Sequence, residues 1–188
     1  MKQGSVRIIA GEWRGRRLKV PEIKDLRPTP DRVRETLFNW LAPYIQGARC
    51  LDLFAGSGVL GFEALSRGAA CAVMVDSAPA VIGLLQEQLT QFKSDKGEAY
   101  CAVIPQQLKH DGSVFDIVFL DPPYQSGLLL PTCRYLETQG LLAKDALIYL
   151  EASEVMTEKD LPDGWHIIKT KQAGQVAYHL VKRESSRI

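Results

Sequence analysis

Cys50-Leu51-Asp52-Leu53-Phe54-Ala55-Gly56-Ser57-Gly58-Val59-Leu60-Gly61 is the stretch on which the fold turns. Cys50–Phe54 is short and mostly apolar, which reads as a buried strand. Gly56 and Gly58 then permit a tight backbone turn and close approach by a ligand. A helix is predicted from Val59 to Arg67, so the N–H groups of the loop point at whatever lies over the strand ends. Glycines after a strand are shared by many nucleotide-binding folds, and two details narrow the choice. No Gly-Lys-Ser/Thr follows, which excludes a phosphate-cradling P-loop. Asp52 sits inside the strand end, where it would repel an anion and attract an amine or a sulfonium. The next predicted strand, Cys71–Asp76, ends on an acid 18 residues after Gly58, the arrangement of a carboxylate gripping a ribose diol. An adenosine with an amino-acid tail and a sulfonium meets all these demands, which is S-adenosylmethionine. A dinucleotide is the competing ligand, and Asp52 opposes its pyrophosphate.

Outward from this loop, strands and helices alternate. Further strands are predicted at Ala99–Ile104, Phe115–Leu120 and Ala146–Glu151, and helices at Pro79–Phe92 and Leu128–Thr138. That spacing implies a mostly parallel sheet with helices on both faces. The end of the chain differs. Trp165–Lys171 and Gln175–Lys182 are strand-like runs separated by Gln172-Ala173-Gly174, a closing antiparallel hairpin. The expectation is an α/β fold with a seven-stranded, mostly parallel sheet. Before the glycine loop, Val33, Leu37, Trp40 and Leu41 mark one apolar face of a helix from Arg32 to Tyr44, capped by Thr29 or Asp31.

A chain of 188 residues, 46% hydrophobic and 24% charged, has the composition of an ordinary globular protein. No apolar run approaches membrane-spanning length, and the first residues lack a signal-peptide core, so a cytoplasmic protein is expected. Cys50, Cys71, Cys101 and Cys133 make no C-x-x-C; reduced core thiols and no metal site are expected. The net charge of +1 conceals an asymmetry: residues 1–34 hold ten basic and four acidic residues, a net +6, and the remainder carries −5. A basic segment on an acidic body points to an anionic partner. Val6, Ile8, Ile9, Trp13, Leu18 and Val20 interleave with the charges, the pattern of a folded β-hairpin turning near Gly11 or Gly15. The expected division is therefore a basic hairpin arm, residues 1–25, and a catalytic domain, residues 26–188.

The strand Phe115–Leu120 runs into Asp121-Pro122-Pro123-Tyr124. Prolines after a strand often merely end it. Here they also stiffen a turn that presents a carboxylate, a free carbonyl and an aromatic face together. A flat target with an exocyclic NH₂ suits that set, and a nucleobase amino group fits.

With both motifs present, the chain resembles the Rossmann-like methyltransferases of exocyclic amines, which carry D-x-F-x-G-x-G and [DN]-P-P-[YF]. It is more closely similar to the bacterial guanine-N2 methyltransferases of 16S ribosomal RNA, those of the methyltransferase D type. The matching stretches are Arg7–Leu18, Leu26–Leu41, Phe54–Gly58, Glu63–Gly68, Asp121–Tyr124 and Gly174–Tyr178. The resemblance implies transfer of a methyl group from S-adenosylmethionine to guanine N2 of 16S rRNA, at guanine 966 in the usual rRNA numbering. It implies a small ribosomal subunit, or an assembly intermediate of one, as partner. Asp121, Pro122, Pro123 and Tyr124 would form the catalytic turn. Asp52, Phe54, Ala55, Gly56, Ser57, Gly58 and Asp76 would hold the cofactor. Gln106 stands near the place where relatives put an Asp or Asn against the adenine, and Ala10 replaces a usual glycine. Arg7, Arg14, Arg16, Arg17, Arg27, Arg32 and Arg34 would contact RNA, with Trp13 either a stacking platform or hairpin core. Other readings of the motifs are DNA adenine-N6 methylation, protein-glutamine methylation and a non-catalytic RNA-binding scaffold. The turn by itself does not choose guanine over adenine.

Overall fold

The structure is a computed structural model that describes residues 4–21 and 29–184. Arg27, expected to contact RNA, lies outside the described residues. Strands β1 (Ser5–Arg7) and β2 (Arg17–Lys19) pair antiparallel. They are followed by α1 (Asp31–Leu41), β3 (Arg49–Leu53), α2 (Val59–Ser66), β4 (Cys71–Asp76), α3 (Pro79–Gln91), β5 (Gly97–Cys101) and β6 (Phe115–Leu120). The chain then adds α4 (Leu129–Thr138), β7 (Leu142–Ala152), β8 (Trp165–Ala173) and β9 (Val176–Arg183). One seven-stranded sheet has the order β5-β4-β3-β6-β7-β9-β8, with β9 antiparallel to both its neighbours and the other pairs parallel. The mostly parallel sheet closed by an antiparallel hairpin is the expected architecture.

The period-two alternation of strands divides the core between the two faces of the sheet. Cys50, Met74, Ile117, Phe119 and Tyr149 face α1, α2 and α3. Leu51, Leu53, Val75, Val118 and Ile148 face the other way, toward α4. The hairpin joins the first of these cores: Val6, Ile8, Trp13 and Leu18 are buried with Phe62 and Phe92. Residues 1–25 therefore contribute, where they are described, to the hydrophobic core of the body. Glu63 on α2 clamps them there, its carboxylate accepting the backbone N–H groups of Ile9 at 2.9 Å and Ala10 at 3.0 Å. Gly11 approaches α2 so closely that a Cβ would lie 1.9 Å from the carbonyl oxygen of Ser66.

Three details depart from expectation. Helix α1 has Pro30 at its cap position and no side-chain cap; Asp31 is already helical and pairs with Arg34 at 2.5 Å. Strand β5 ends at Cys101, because residues 102–107 turn away from the sheet, with a cis peptide at Ile104–Pro105. Of the thiols, Cys50 and Cys133 are core residues, but Cys71 is half-buried and Cys101 is exposed. Among the described residues, no helix is long and apolar enough to cross a membrane.

Candidate active site

The parallel strands β3, β4 and β6 end side by side, and the ligand crevice of an open α/β sheet lies beyond such carboxyl ends. Phe54, Gly56 and Gly58 take φ values of 62°, 52° and 71° in the turn that leaves β3. Positive φ is free for glycine but strained for Phe54, and such strain gathers at functional turns. The turn is held by Ala55 N–H to Val75 O at 3.0 Å and Gly58 N–H to Ala55 O at 2.7 Å. Asp76, at the end of β4, accepts Gly56 N–H at 3.0 Å with Oδ2 and Ala78 N–H at 3.0 Å with Oδ1. It is partly exposed and stands beside the loop.

Asp52 is placed differently. Only 3% of it is exposed, and Oδ2 accepts the Gly61 N–H at 2.9 Å under the first turn of α2. Burial pushes its carboxyl up to about 8, with the Asp76 charge adding. Asp52 therefore holds loop and helix together from beneath instead of forming an open wall. Ser57 is also buried, and Gln106 is exposed on the loop after β5.

Asp121 leaves β6 at the mouth of the same crevice. Its carboxyl is raised well above the usual range by burial first, then by the neighbouring Glu151 and by Asp52. Glu151, near the end of β7, was not singled out from the sequence. It is 5% exposed, and its carboxylate accepts Tyr149 Oη–H at 2.6 Å and Tyr124 Oη–H at 3.2 Å. Asp121 and Glu151 are close neighbours, and burial raises both carboxyls. Tyr124 is tethered by its hydroxyl while half its surface remains open. Pro122, Pro123, Tyr124, Gly127, Leu129 and Glu151 line one side or another of a cleft of about 110 Å³. Tyr149 leans on Tyr178, and Tyr178 on Trp40 of α1, with ring centroids 6.4 and 5.7 Å apart. The signal for Glu151 was visible: the predicted strand Ala146–Glu151 ends an apolar run on an acid, as Cys71–Asp76 does.

Four carboxyl groups, Asp52, Asp76, Asp121 and Glu151, thus gather where the strands end; the Asp76 charge adds to the rise of Asp52, and those of Glu151 and Asp52 to the rise of Asp121. Such a set suits a ligand with a sulfonium and an ammonium group and opposes a pyrophosphate. The glycine turn and Asp76 supply the backbone approach and the diol acceptor that S-adenosylmethionine requires, so the residues present fit that cofactor.

The expected RNA contacts separate into two groups. Arg7, Arg14, Arg16, Arg17 and Arg32 are exposed. Arg16 is partly engaged, stacked 3.6 Å from the Phe92 ring centroid and bonded to Gln91 O at 3.2 Å. Arg34 corrects the expectation. It is fully buried, donating to Arg7 O at 3.0 Å and Thr29 O at 3.2 Å and pairing with Glu63 at 3.4 Å, so no phosphate reaches it. Trp13 is hairpin core and no stacking platform: it is 8% exposed and meets Phe92 edge-on at 4.9 Å.

Residues 6–182 match the protein family described as conserved hypothetical protein 95. The chain is 48% identical to ribosomal RNA small subunit methyltransferase D of Escherichia coli K12, over 97% of this chain and 92% of that one. The same-named protein of Haemophilus influenzae is 44% identical, over 95% of this chain and 94% of that one. A solved Escherichia coli structure described as a methyltransferase, yhhF, superposes with a TM-score of 0.88 at 49% identity, covering 97% of this chain and all of that one.

Proposed function

The chain belongs to the conserved hypothetical protein 95 family, among the ribosomal RNA small subunit methyltransferases D, and on that premise we propose that it methylates the exocyclic N2 of a guanine in 16S rRNA. The observation that carries this reading is the Asp121–Tyr124 turn standing beside the glycine loop and Asp76 at one end of the sheet. When bound, S-adenosylmethionine supplies an electrophilic methyl on a sulfonium, which departs as a neutral thioether.

The residues of this chain then have distinct tasks. The exocyclic amine is a poor nucleophile because its lone pair is delocalised into the ring. Asp121 and the Pro122 carbonyl accept its two N–H bonds, which turns the lone pair toward the methyl and stabilises positive charge growing on nitrogen. The nitrogen gains a methyl and loses one proton, which the Asp121–Glu151 pair is placed to receive. Pro123 fixes the turn, and the exposed Tyr124 ring stacks on the base, a contact worth roughly 1–3 kcal/mol. The base must leave its stack to enter the cleft, which favours a looped or single-stranded guanine. Asp76, Phe54, Ala55, Gly56 and Gly58, with Gln106 of the loop after β5, bind the cofactor; Asp52 and Ser57 support them from inside. Arg7, Arg14, Arg17 and Arg32 contact RNA phosphates. The partner is the small ribosomal subunit or an assembly intermediate of it.

Incubation with methyl-labelled S-adenosylmethionine and, separately, naked 16S RNA, small subunits, DNA and protein tests this. Label is expected on 16S RNA, in N2-methylguanine at guanine 966. Label on adenine, on DNA or on a protein amide would replace the proposal with one of its rivals.

A further inference from the structure

We propose that Glu151 selects guanine over adenine by accepting the N1–H of the target base while Asp121 accepts from its N2 amino group. This deepens the reading of the site as a guanine-N2 methyltransferase and rests on it. Three observations converge on Glu151. It lines the same cleft as Pro122, Pro123 and Tyr124. Its carboxyl adjoins that of Asp121, the acid of the turn that receives the amine. Its hydroxyl partners, Tyr149 Oη and Tyr124 Oη, are both donors, one to each oxygen. Those bonds fix the carboxylate and leave each oxygen a further lone pair to offer.

The chemistry of the two bases decides the rest. Guanine presents N1–H and the N2 amino group side by side, a row of donors. Adenine presents its amino group beside a bare N1, a donor next to an acceptor. Two adjacent carboxyls match the first row and oppose the second, because the N1 lone pair would face a carboxylate. A site whose buried polar group is left without its partner rejects the wrong ligand strongly. The proline turn lacks this information, since one amino group resembles the other. Glu151 comes from a different strand, β7, and supplies the second position of the code.

The test uses 2-aminopurine, which keeps the 2-amino group and lacks the N1–H. 16S RNA is built with guanine or 2-aminopurine at the target position, and kcat/KM is measured for wild type and Glu151→Gln on both. Wild type is expected to prefer guanine by at least about 100-fold, within the range of one bidentate base contact. Glu151→Gln can offer its amide NH₂ to a bare N1 and is expected to narrow that ratio to below about 10-fold, with cofactor affinity retained. The O6 also absent from 2-aminopurine affects both enzymes alike, so the change in ratio isolates N1. Guanine methylated at N2 with the same ratio in both enzymes would overturn the role of Glu151 alone. Wild type methylating 2-aminopurine as readily as guanine would overturn it whatever the variant does. Absence of any N2-methylguanine from wild type would instead bring down the underlying reading, and the inference with it.

Discussion

Asp121 shows how much one residue depends on company that is distant in sequence. On its own it is an acid before two prolines; in the fold it neighbours Glu151, and the prolines that follow it line the cleft. Asp121→Ala is expected to lower kcat by about 10²–10³, the loss typical of one preorganised polar contact to developing charge, with S-adenosylmethionine affinity nearly unchanged. Single-turnover methyl transfer and calorimetric titration of the cofactor check the two halves, and retained turnover would refute the assignment. Glu63 is the counterpart in stability. Its carboxylate meets Arg34, Arg67 and the amides of Ile9 and Ala10. Glu63→Ala leaves the fully buried Arg34 without its buried partner and should destabilise by about 3–5 kcal/mol, measured by denaturant unfolding. The acid and prolines of the turn were legible because their chemistry is local. The roles of Glu63 and Arg34 were not, because a charge run looks the same whether its arginines face solvent or one of them is buried.

The β1–β2 hairpin carries the largest revision at the scale of the element. Its alternation of apolar and basic residues identified the hairpin, and its packing on α2 and α3 makes it structural as well as basic. Deleting it would uncover Phe62 and Phe92, so RNA binding is better tested by charge. Arg14→Glu with Arg17→Glu is expected to weaken RNA binding and flatten its salt dependence, since each lost phosphate contact removes about one unit of slope. Thermal stability and cofactor affinity should stay close to wild type, because both side chains are exposed. Binding isotherms across a salt series decide it; an unchanged slope would remove the hairpin from the RNA interface. Trp13→Ala is expected to do the reverse, costing about 3–5 kcal/mol of stability through lost packing against Phe62 and Phe92. Element boundaries were mostly legible because hydrophobic periodicity is local. The early start and end of β5, at Gly97 and Cys101, and the uncapped α1 were not: both depend on where the neighbouring chain runs.

Across the whole molecule, the carboxyl groups gathered at one end of the sheet give stability a particular pH dependence. Asp52 is raised from 3.8 to about 8 in the folded state. A raised carboxyl favours the protonated fold, so its cost grows as pH climbs from the unfolded value toward 8. His179, buried and lowered below its usual value, acts in the opposite sense, favouring the fold as pH rises through the usual histidine range. Comparing wild type with Asp52→Asn cancels His179. The variant should gain on wild type between pH 5 and pH 8 by at least about 2–4 °C in Tm, the shift that 1 kcal/mol makes in a domain of this size. A difference independent of pH would show that Asp52 is not strained by its burial. The sequence by itself determined the α/β alternation, the closing hairpin, the glycine turn and the proline turn, since each rests on periodicity or on backbone chemistry within a few residues. Only the tertiary structure decided that Asp52 lies beneath its loop, that Arg34 is a clamp, that Trp13 is core and that Glu151 stands beside Asp121. Those facts depend on which strands lie side by side and which faces meet, and burial, not residue type, sets what a charged group can do.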